Sequence, residues 1–263
     1  MANKYLMRED APFESGLWEI LDKAMRAAAE SQLVGRRLLD VKGPFGLGLK
    51  SLPLEDNVDE AGFISSGVLP VVMIQKDFEL KTRDVANYER EGVLLDTCPV
   101  SEAAFECAQL EDRLIFHGTT NVPGLLTIGD SNDMNLLDWD DVGAAANDII
   151  QAITRLDDAG FHGPYSLALA PERYNLLYRL YPQGKQSELE HLKTMVTEGI
   201  YKTPALEQGG VLLAATAQCA SIVLGQDMSI GYIGPAGAVQ EFTISESLTL
   251  RIQRPQAICL LKE

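Results

Sequence analysis

The chain is poor in the groups that carry out covalent chemistry. Three histidines (His117, His162, His191) and four cysteines (Cys98, Cys107, Cys219, Cys259) are spread over 263 residues. No two cysteines are spaced as C-x-x-C, so neither a dithiol redox pair nor a thiolate zinc knuckle is encoded. In apolar and helical contexts such thiols act as small core residues, which suits a reducing cytoplasm. Basic residues are scarce too: 22 Lys and Arg against 38 Asp and Glu leave a formal charge of -16. Non-specific nucleic-acid binding needs cations that neutralise phosphates, and this balance argues against it. No uncharged apolar run approaches the ~18 residues needed to cross a bilayer. The first ten residues have no apolar core ahead of their charges, so no export signal is read and no membrane partner is expected.

The motifs of common catalytic sites are missing as well. No G-x-S-x-G elbow occurs; Ser66-Gly67 and Ser229-Ile230-Gly231 fall in an extended arm and a hairpin, not at a strand-to-helix turn. His162 follows Asp157 and Asp158, and His191 follows Glu188 and Glu190, without the paired spacing of a metal site on one helical face. These read as surface histidines. The Asp130 to Asp133 and Asp138 to Asp141 clusters lack the Gly and Glu positions of a calcium loop and read as caps and solvated loop. Gly43-Pro44-Phe45-Gly46-Leu47-Gly48 lacks the Lys-Ser/Thr of a phosphate loop and reads as a hinge. No catalytic residue, metal or cofactor is expected.

What the chain does have is an ordinary core-forming composition, 46% hydrophobic and 23% charged. Leu17, Leu21, Ala24 and Ala28 give an apolar stripe on a helix from about Ser15 to Leu33, with Ser15 as its N-cap. Residues 43 to 69 have no core pattern, and a compact monomer could not bury so long a loop, so it is expected to pack on another subunit. Val72, Ile74, Phe78 and Leu80 alternate as a strand. Ala103, Cys107, Leu110 and Leu114 mark a helical face. Asp140 or Asp141 is the expected cap of a second helix carrying Val142, Ala145, Ile149, Ile153 and Leu156. Tyr165 to Leu169 reads as a buried strand, and Pro171 opens a helix presenting Tyr174, Leu177, Tyr178 and Tyr181. Strands follow at Val211 to Thr216, Ala220 to Leu224, Met228 to Tyr232 and Glu241 to Ile252, with Gly225-Gln226-Asp227 as a polar turn. The fold class is α+β.

The Ile222 to Tyr232 run, taken with Ser31-Gln32-Leu33-Val34-Gly35-Arg36-Arg37, Glu111 to Gly118 and the Gly163-Pro164-Tyr165 turn, resembles the encapsulin family. These are shell proteins of bacterial nanocompartments with the tailed-phage major capsid protein fold, and the resemblance runs from about Glu14 to Leu261. It implies an N-terminal helix and peripheral domain at 1–45, an extended loop at 46–75, peripheral domain again at 76–127, an axial domain at 128–221, and a return to the peripheral domain at 222–263. It implies a homo-oligomeric icosahedral shell in the cytoplasm, built from a non-enzymatic subunit that takes up a cargo enzyme by its C-terminal targeting peptide. Family cargos are ferritin-like proteins, hemerythrin-like proteins and dye-decolorising peroxidases, which points to iron storage or oxidative-stress defence. The positions matching the family's cargo groove are Leu33, Arg36, Asp40, Ile230 and Tyr232. Leu33, Ile230 and Tyr232 would form apolar pockets, Asp40 would meet a basic residue, and Arg36 a carboxylate or backbone oxygen. The other reading makes Arg36 and Asp40 an i,i+4 pair at a helix end and the apolar residues core. Pro182, Gln183, Gly184 and Lys185 match the loop lining the five-fold pore. Some relatives bind flavin on an aromatic before an Asn-Leu-Glu-Arg motif; here the motif is Asn87-Tyr88-Glu89-Arg90 and Arg83 stands at the aromatic's position, with Tyr88 nearby. The alternatives are a phage or prophage major capsid protein, which shares the fold, and a secreted bacteriocin or protease, labels that related chains have carried.

Overall fold

An apolar face at helical spacing organises the first part of the chain. In the computed structural model, which describes residues 4–182 and 184–263, α1 (Ser15–Gln32) buries Leu17, Leu21, Met25, Ala28 and Ala29 along one side. Its N-cap position is Glu14, one residue before the expected Ser15, and no side chain caps it. Instead the Glu14 N–H donates to Glu89 Oε1 at 3.0 Å, a carboxylate brought from a later helix. By contact density the chain divides into two units. The first holds Met1–Leu33, Gly43–Glu111 and Leu224–Thr249, and the second Val34–Lys42, Asp112–Val223 and Leu250–Glu263.

In the first unit, α1 is joined by β2 (Ser51–Val58), β3 (Ile64–Pro70), β4 (Val72–Lys81), α3 (Thr82–Glu91) and most of α4 (Cys98–His117). β4 alternates as its sequence requires, with Ile74, Phe78 and Leu80 buried, and pairs antiparallel with β12 (Val239–Ile252) from Val72↔Leu248 to Lys81↔Val239. On β12 the Phe242 ring stacks on Phe78 at 5.2 Å, with Phe13, Trp18 and Tyr232 around it at 5.5 to 5.8 Å. Truncating such a buried ring costs about 3–5 kcal/mol, so this cluster anchors the unit. α4 buries Ala104, Cys107 and Ala108, while Leu110, expected on the same face, is 36% exposed one step around the helix.

Residues 43 to 69 are not patternless loop. β2 and β3 form an antiparallel ribbon with a register shift between Pro53 and Asp56. The tip is closed by Asp59, whose Oδ1 accepts the N–H groups of Ala61 and Phe63. Because both faces of the ribbon are open, the alternation that marks a half-buried strand is absent. Val58, Phe63, Ile64 and Val68 are each more than 60% exposed.

The sequence also misplaces one turn. β11 (Ala220–Ala236) is a single strand of 17 residues, not two strands joined at Gly225-Gln226-Asp227. Gln226 looks like a turn residue but is buried: its N–H donates to Ser247 Oγ at 2.9 Å, and Nε2 to Ser245 O and Oγ at 3.2 and 3.0 Å. The true turn follows at Gly237 (φ +62°), between β11 and β12.

The second unit contains α2 (Gly35–Leu38), β1 (Asp40–Lys42), β5 (Gly118–Thr119), β6 (Val122–Pro123), β7 (Asn132–Asn135), α5 (Ala144–Asp158), β8 (Tyr165–Leu169), α6 (Pro171–Leu176), α7 (Glu188–Leu192), β9 (Gly199–Lys202), β10 (Gly210–Ala214) and β13 (Ile258–Lys262). Five strands make one sheet in the order β7-β13-β10-β8-β9. The last strand therefore stands between β7 and β10. α5 begins at Ala144 after Gly143, and neither Asp140 nor Asp141 caps it. Glu188 does so from α7, accepting the N–H of Gly143 at 2.8 Å and of Ala146 at 3.4 Å. A remote carboxylate at a helix N-terminus satisfies free N–H groups and suits the helix dipole. α6 stops at Leu176, so Tyr178 and Tyr181 lie beyond it, and Tyr178 is 59% exposed.

Candidate functional site

The N-terminal segment, α1 and β11 enclose a groove within the first unit. Leu6 and Arg8, then Asp22, Met25 and Arg26, then Met228 line a space of about 260 Å³. Amphipathicity explains the helix side: with Leu21, Met25 and Ala28 turned inward, Asp22 and Arg26 fall at the edge of the polar face. Arg8 fixes the opposite wall. Its Nη1 and Nη2 donate to the two Asp22 carboxylate oxygens at 2.8 and 2.6 Å, and Nε donates to the Ile230 carbonyl at 2.7 Å. The guanidinium also lies 4.7 Å from the Trp18 ring centroid. Leu6 passes so close to β11 that a Cβ on Gly231 would sit 3.2 Å from the Leu6 carbonyl oxygen, so glycine leaves room for the crossing.

The residues singled out from sequence are distributed between the two units. Leu33, Ile230 and Tyr232 belong to the first, and Arg36 and Asp40 to the second. Leu33 is buried with Ala29 and Ala108, and Met228 packs on them. Ile230 is fully buried, so what it turns toward the groove is its carbonyl, already taken by Arg8. Tyr232 is half-buried, with the Phe13 ring 5.3 Å away. Its hydroxyl donates to Gln240 Oε1 at 2.7 Å, and burial pushes its phenol above the usual tyrosine value. Arg36 and Asp40 are not an i,i+4 helix pair, because α2 ends at Leu38 and Asp40 starts β1, parallel to Ser221 of β11. Asp40 is exposed and Arg36 half-buried. Arg8, Asp22, Met25, Arg26 and Met228 were missed, because Arg8 and Asp22 are 14 residues apart and no periodicity links them.

Gln183 lies outside the described residues. Leu180 bridges Ser187, and the Tyr181 N–H donates to the Gln186 carbonyl at 3.1 Å. Ser187 and Glu190 form a reciprocal capping box that starts α7. The Tyr181 hydroxyl lies 2.8 Å from His191 Nδ1, and burial first, then the Glu188 charge, raises its pKa. Pro182, Gly184 and Lys185 are exposed. Tyr88 is half-buried, its hydroxyl 3.5 Å from where a Cβ on Gly16 would stand. Among the described residues no three His, Cys, Asp or Glu side chains converge as metal ligands, and no helix is long and apolar enough to cross a membrane.

The family model described as "Encapsulating protein for peroxidase" matches residues 3–249. The chain belongs to the encapsulin family. It is 30% identical to the type 1 encapsulin shell protein EncA of Myxococcus xanthus over 280 residues, covering 98% of this chain and 96% of the relative. Encapsulins of this kind are shell proteins by name. The virus-like particle from Pyrococcus furiosus matches with a TM-score of 0.78 at 24% identity, over 94% of this chain and 99% of that one. The capsid of Myoviridae phage XM1 matches with a TM-score of 0.60 at 14% identity, over 85% and 88%. At those identities the two structures speak to the fold alone: it is the capsid fold expected from the sequence.

Proposed function

We propose that the chain is a non-catalytic wall subunit of a closed icosahedral compartment in the cytoplasm, which takes up a cargo enzyme by a short extended peptide. The observation that carries this reading is the match to a shell-protein family over nearly the whole chain. The family's description names a peroxidase as the encapsulated partner, and peroxidases, ferritin-like proteins and hemerythrin-like proteins are the cargo classes proposed here. Iron storage or oxidative-stress defence follows from those cargos. The α1–β11 groove supports the docking step, because it joins an apolar floor of Met25 and Met228 to charged walls. Extended peptides are held in that way, by pockets for alternate side chains with polar groups fixing register. Leu33 and Ile230 act from behind the floor, Tyr232 at its end, and Arg36 and Asp40 are carried over from the family's groove. The exposed residues Pro182, Gly184 and Lys185 belong to the proposed pore loop.

Co-expression with a reporter carrying the C-terminal tail of the neighbouring cargo gene tests the docking step. Ser229→Trp fills the groove, and reporter retained per purified shell is expected to fall more than tenfold while shells still form. Asp40→Ala removes one exposed charge, worth about 0.2–1 kcal/mol, and is expected to lower loading a few-fold at most. Wild-type loading in the Ser229→Trp shell would show that the peptide binds elsewhere.

A further inference from the structure

One end of the groove is already filled by the chain itself. Arg8 sits in a site with every element of a guanidinium receptor: a bidentate carboxylate from Asp22, a carbonyl from Ile230 and an indole face from Trp18. The planar fork of arginine matches a carboxylate in this way and a lysine does not, so the site is selective. It is also sheltered: the Arg8 and Asp22 side chains are only 27% and 19% exposed. Just before Arg8 the segment crosses β11 at Gly231, through Leu6, and after it Phe13 packs on Tyr232. It therefore covers the part of β11 where an extended peptide would lie.

We propose that Arg8 is a resident stand-in for an arginine of the incoming peptide, and that docking exchanges one for the other on Asp22. The inference rests on the α1–β11 groove being the docking site, and adds the peptide's chemistry: one arginine, spaced from an apolar residue that reaches Met25 and Met228. The exchange conserves the charge pair, so no carboxylate is left buried and unpaired. Its cost is release of the N-terminal segment, which lowers the apparent affinity by the fraction of subunits with Asp22 free. The latch thus sets a threshold that an arginine-bearing tail crosses and a neutral tail does not.

The test is selection of tails from a reporter library with ten randomised C-terminal residues, co-expressed with the shell and recovered by co-purification. Wild-type shells are expected to enrich arginine at one tail position. Arg8→Ala and Arg8→Gln remove the competitor and should each raise loading of the arginine-bearing tails about tenfold, and should also let in the same tails carrying Gln there, to a lower level because these make no pair with Asp22. Asp22→Asn should abolish the arginine preference. Enrichment of tails without a basic residue, or equal loading in Arg8→Ala and wild-type shells, overturns the exchange but leaves the groove standing. Reduced loading in both Arg8 variants makes the segment a fixed wall and also overturns it. No enriched tail in any shell, or enrichment untouched by Ser229→Trp, removes the groove itself.

Discussion

Removing the Asp148 carboxylate should destabilise the second unit by a measurable amount. Asp148 is fully buried on α5, and its Oδ2 accepts the Trp139 indole N–H and the Leu137 backbone N–H, each at 2.8 Å. Trp139 is fully buried as well, with the Arg173 guanidinium 4.9 Å from its ring centroid. In Asp148→Ala both donors lose their acceptor, at about 1–3 kcal/mol each. The Leu137 residue is 57% exposed, so its N–H recovers water and counts at the low end of that range. The sum is about 2–4 kcal/mol. Asp148→Asn keeps an oxygen for both donors but places an amide NH2 at Oδ1, where no hydrogen-bond partner stands among the described residues. It should cost less, about 1–2 kcal/mol, and the order Ala worse than Asn is the sharper expectation. Urea unfolding at fixed subunit concentration measures both, because assembly adds apparent stability by mass action. Near-ultraviolet circular dichroism follows Trp139, one of only two tryptophans. An Ala variant within ~0.5 kcal/mol of wild type, with an unchanged tryptophan signal, would refute this account of the buried carboxylate.

Phe63→Asp with Ile64→Asp on the exposed β2–β3 ribbon should block formation of megadalton particles, as read by size-exclusion chromatography, while leaving the subunit folded; shells at wild-type yield would show that the ribbon tip is not an assembly contact. Lys185→Glu should change the influx of charged small molecules into assembled shells, with opposite effects on anionic and cationic probes, and unchanged flux for both would remove this loop from the pore. Thiol labelling at pH 8 should reach Cys98 first, since it is exposed while burial pushes the Cys107 thiol up to about 12 and Cys259 to about 11. Asp96 raises the Cys98 thiol and so reduces its thiolate at that pH, which means Asp96→Asn should label faster; slower labelling would reverse the sign.

Elements with one buried face and one wet face were legible. α1 and β4 carry periods of 3.6 and 2, and the spacing selects Leu17, Leu21 and Ala28 of α1 and Ile74, Phe78 and Leu80 of β4, all buried; Ala24 and Val72 are only half-buried, and Trp18, Met25 and Ala29 of α1 are buried without having been selected. The misread turn and cap share a cause, which is that a polar residue's partner lies far along the chain. Gln226 reads as a turn because Ser245 and Ser247 are 19 and 21 residues away. Asp140 and Asp141 read as caps because Glu188, the actual cap, follows Gly143 by 45 positions. The β2–β3 ribbon was unreadable for another reason: with no buried face, it leaves no alternation to find. For the groove, family likeness pointed to the segments around Leu33 and Ile230, but the Arg8–Asp22 pair that shapes the wall has no local signature.

The two faces of β12 differ in kind. Phe242, Ile244, Leu248 and Leu250 fall on one side, with the buried Glu246 among them, and Ser245, Ser247 and Thr249 on the other, all of them buried. A slip of one residue along the pleat would press hydroxyls into the aromatic cluster and strand Gln226 without its serines. The hairpin therefore proofreads itself: a misaligned subunit loses both sets of contacts together and is expected to be left out of a closed shell. In an assembly of many identical parts, where one faulty copy can leave a hole, such an all-or-nothing register turns an error of folding into a failure to assemble.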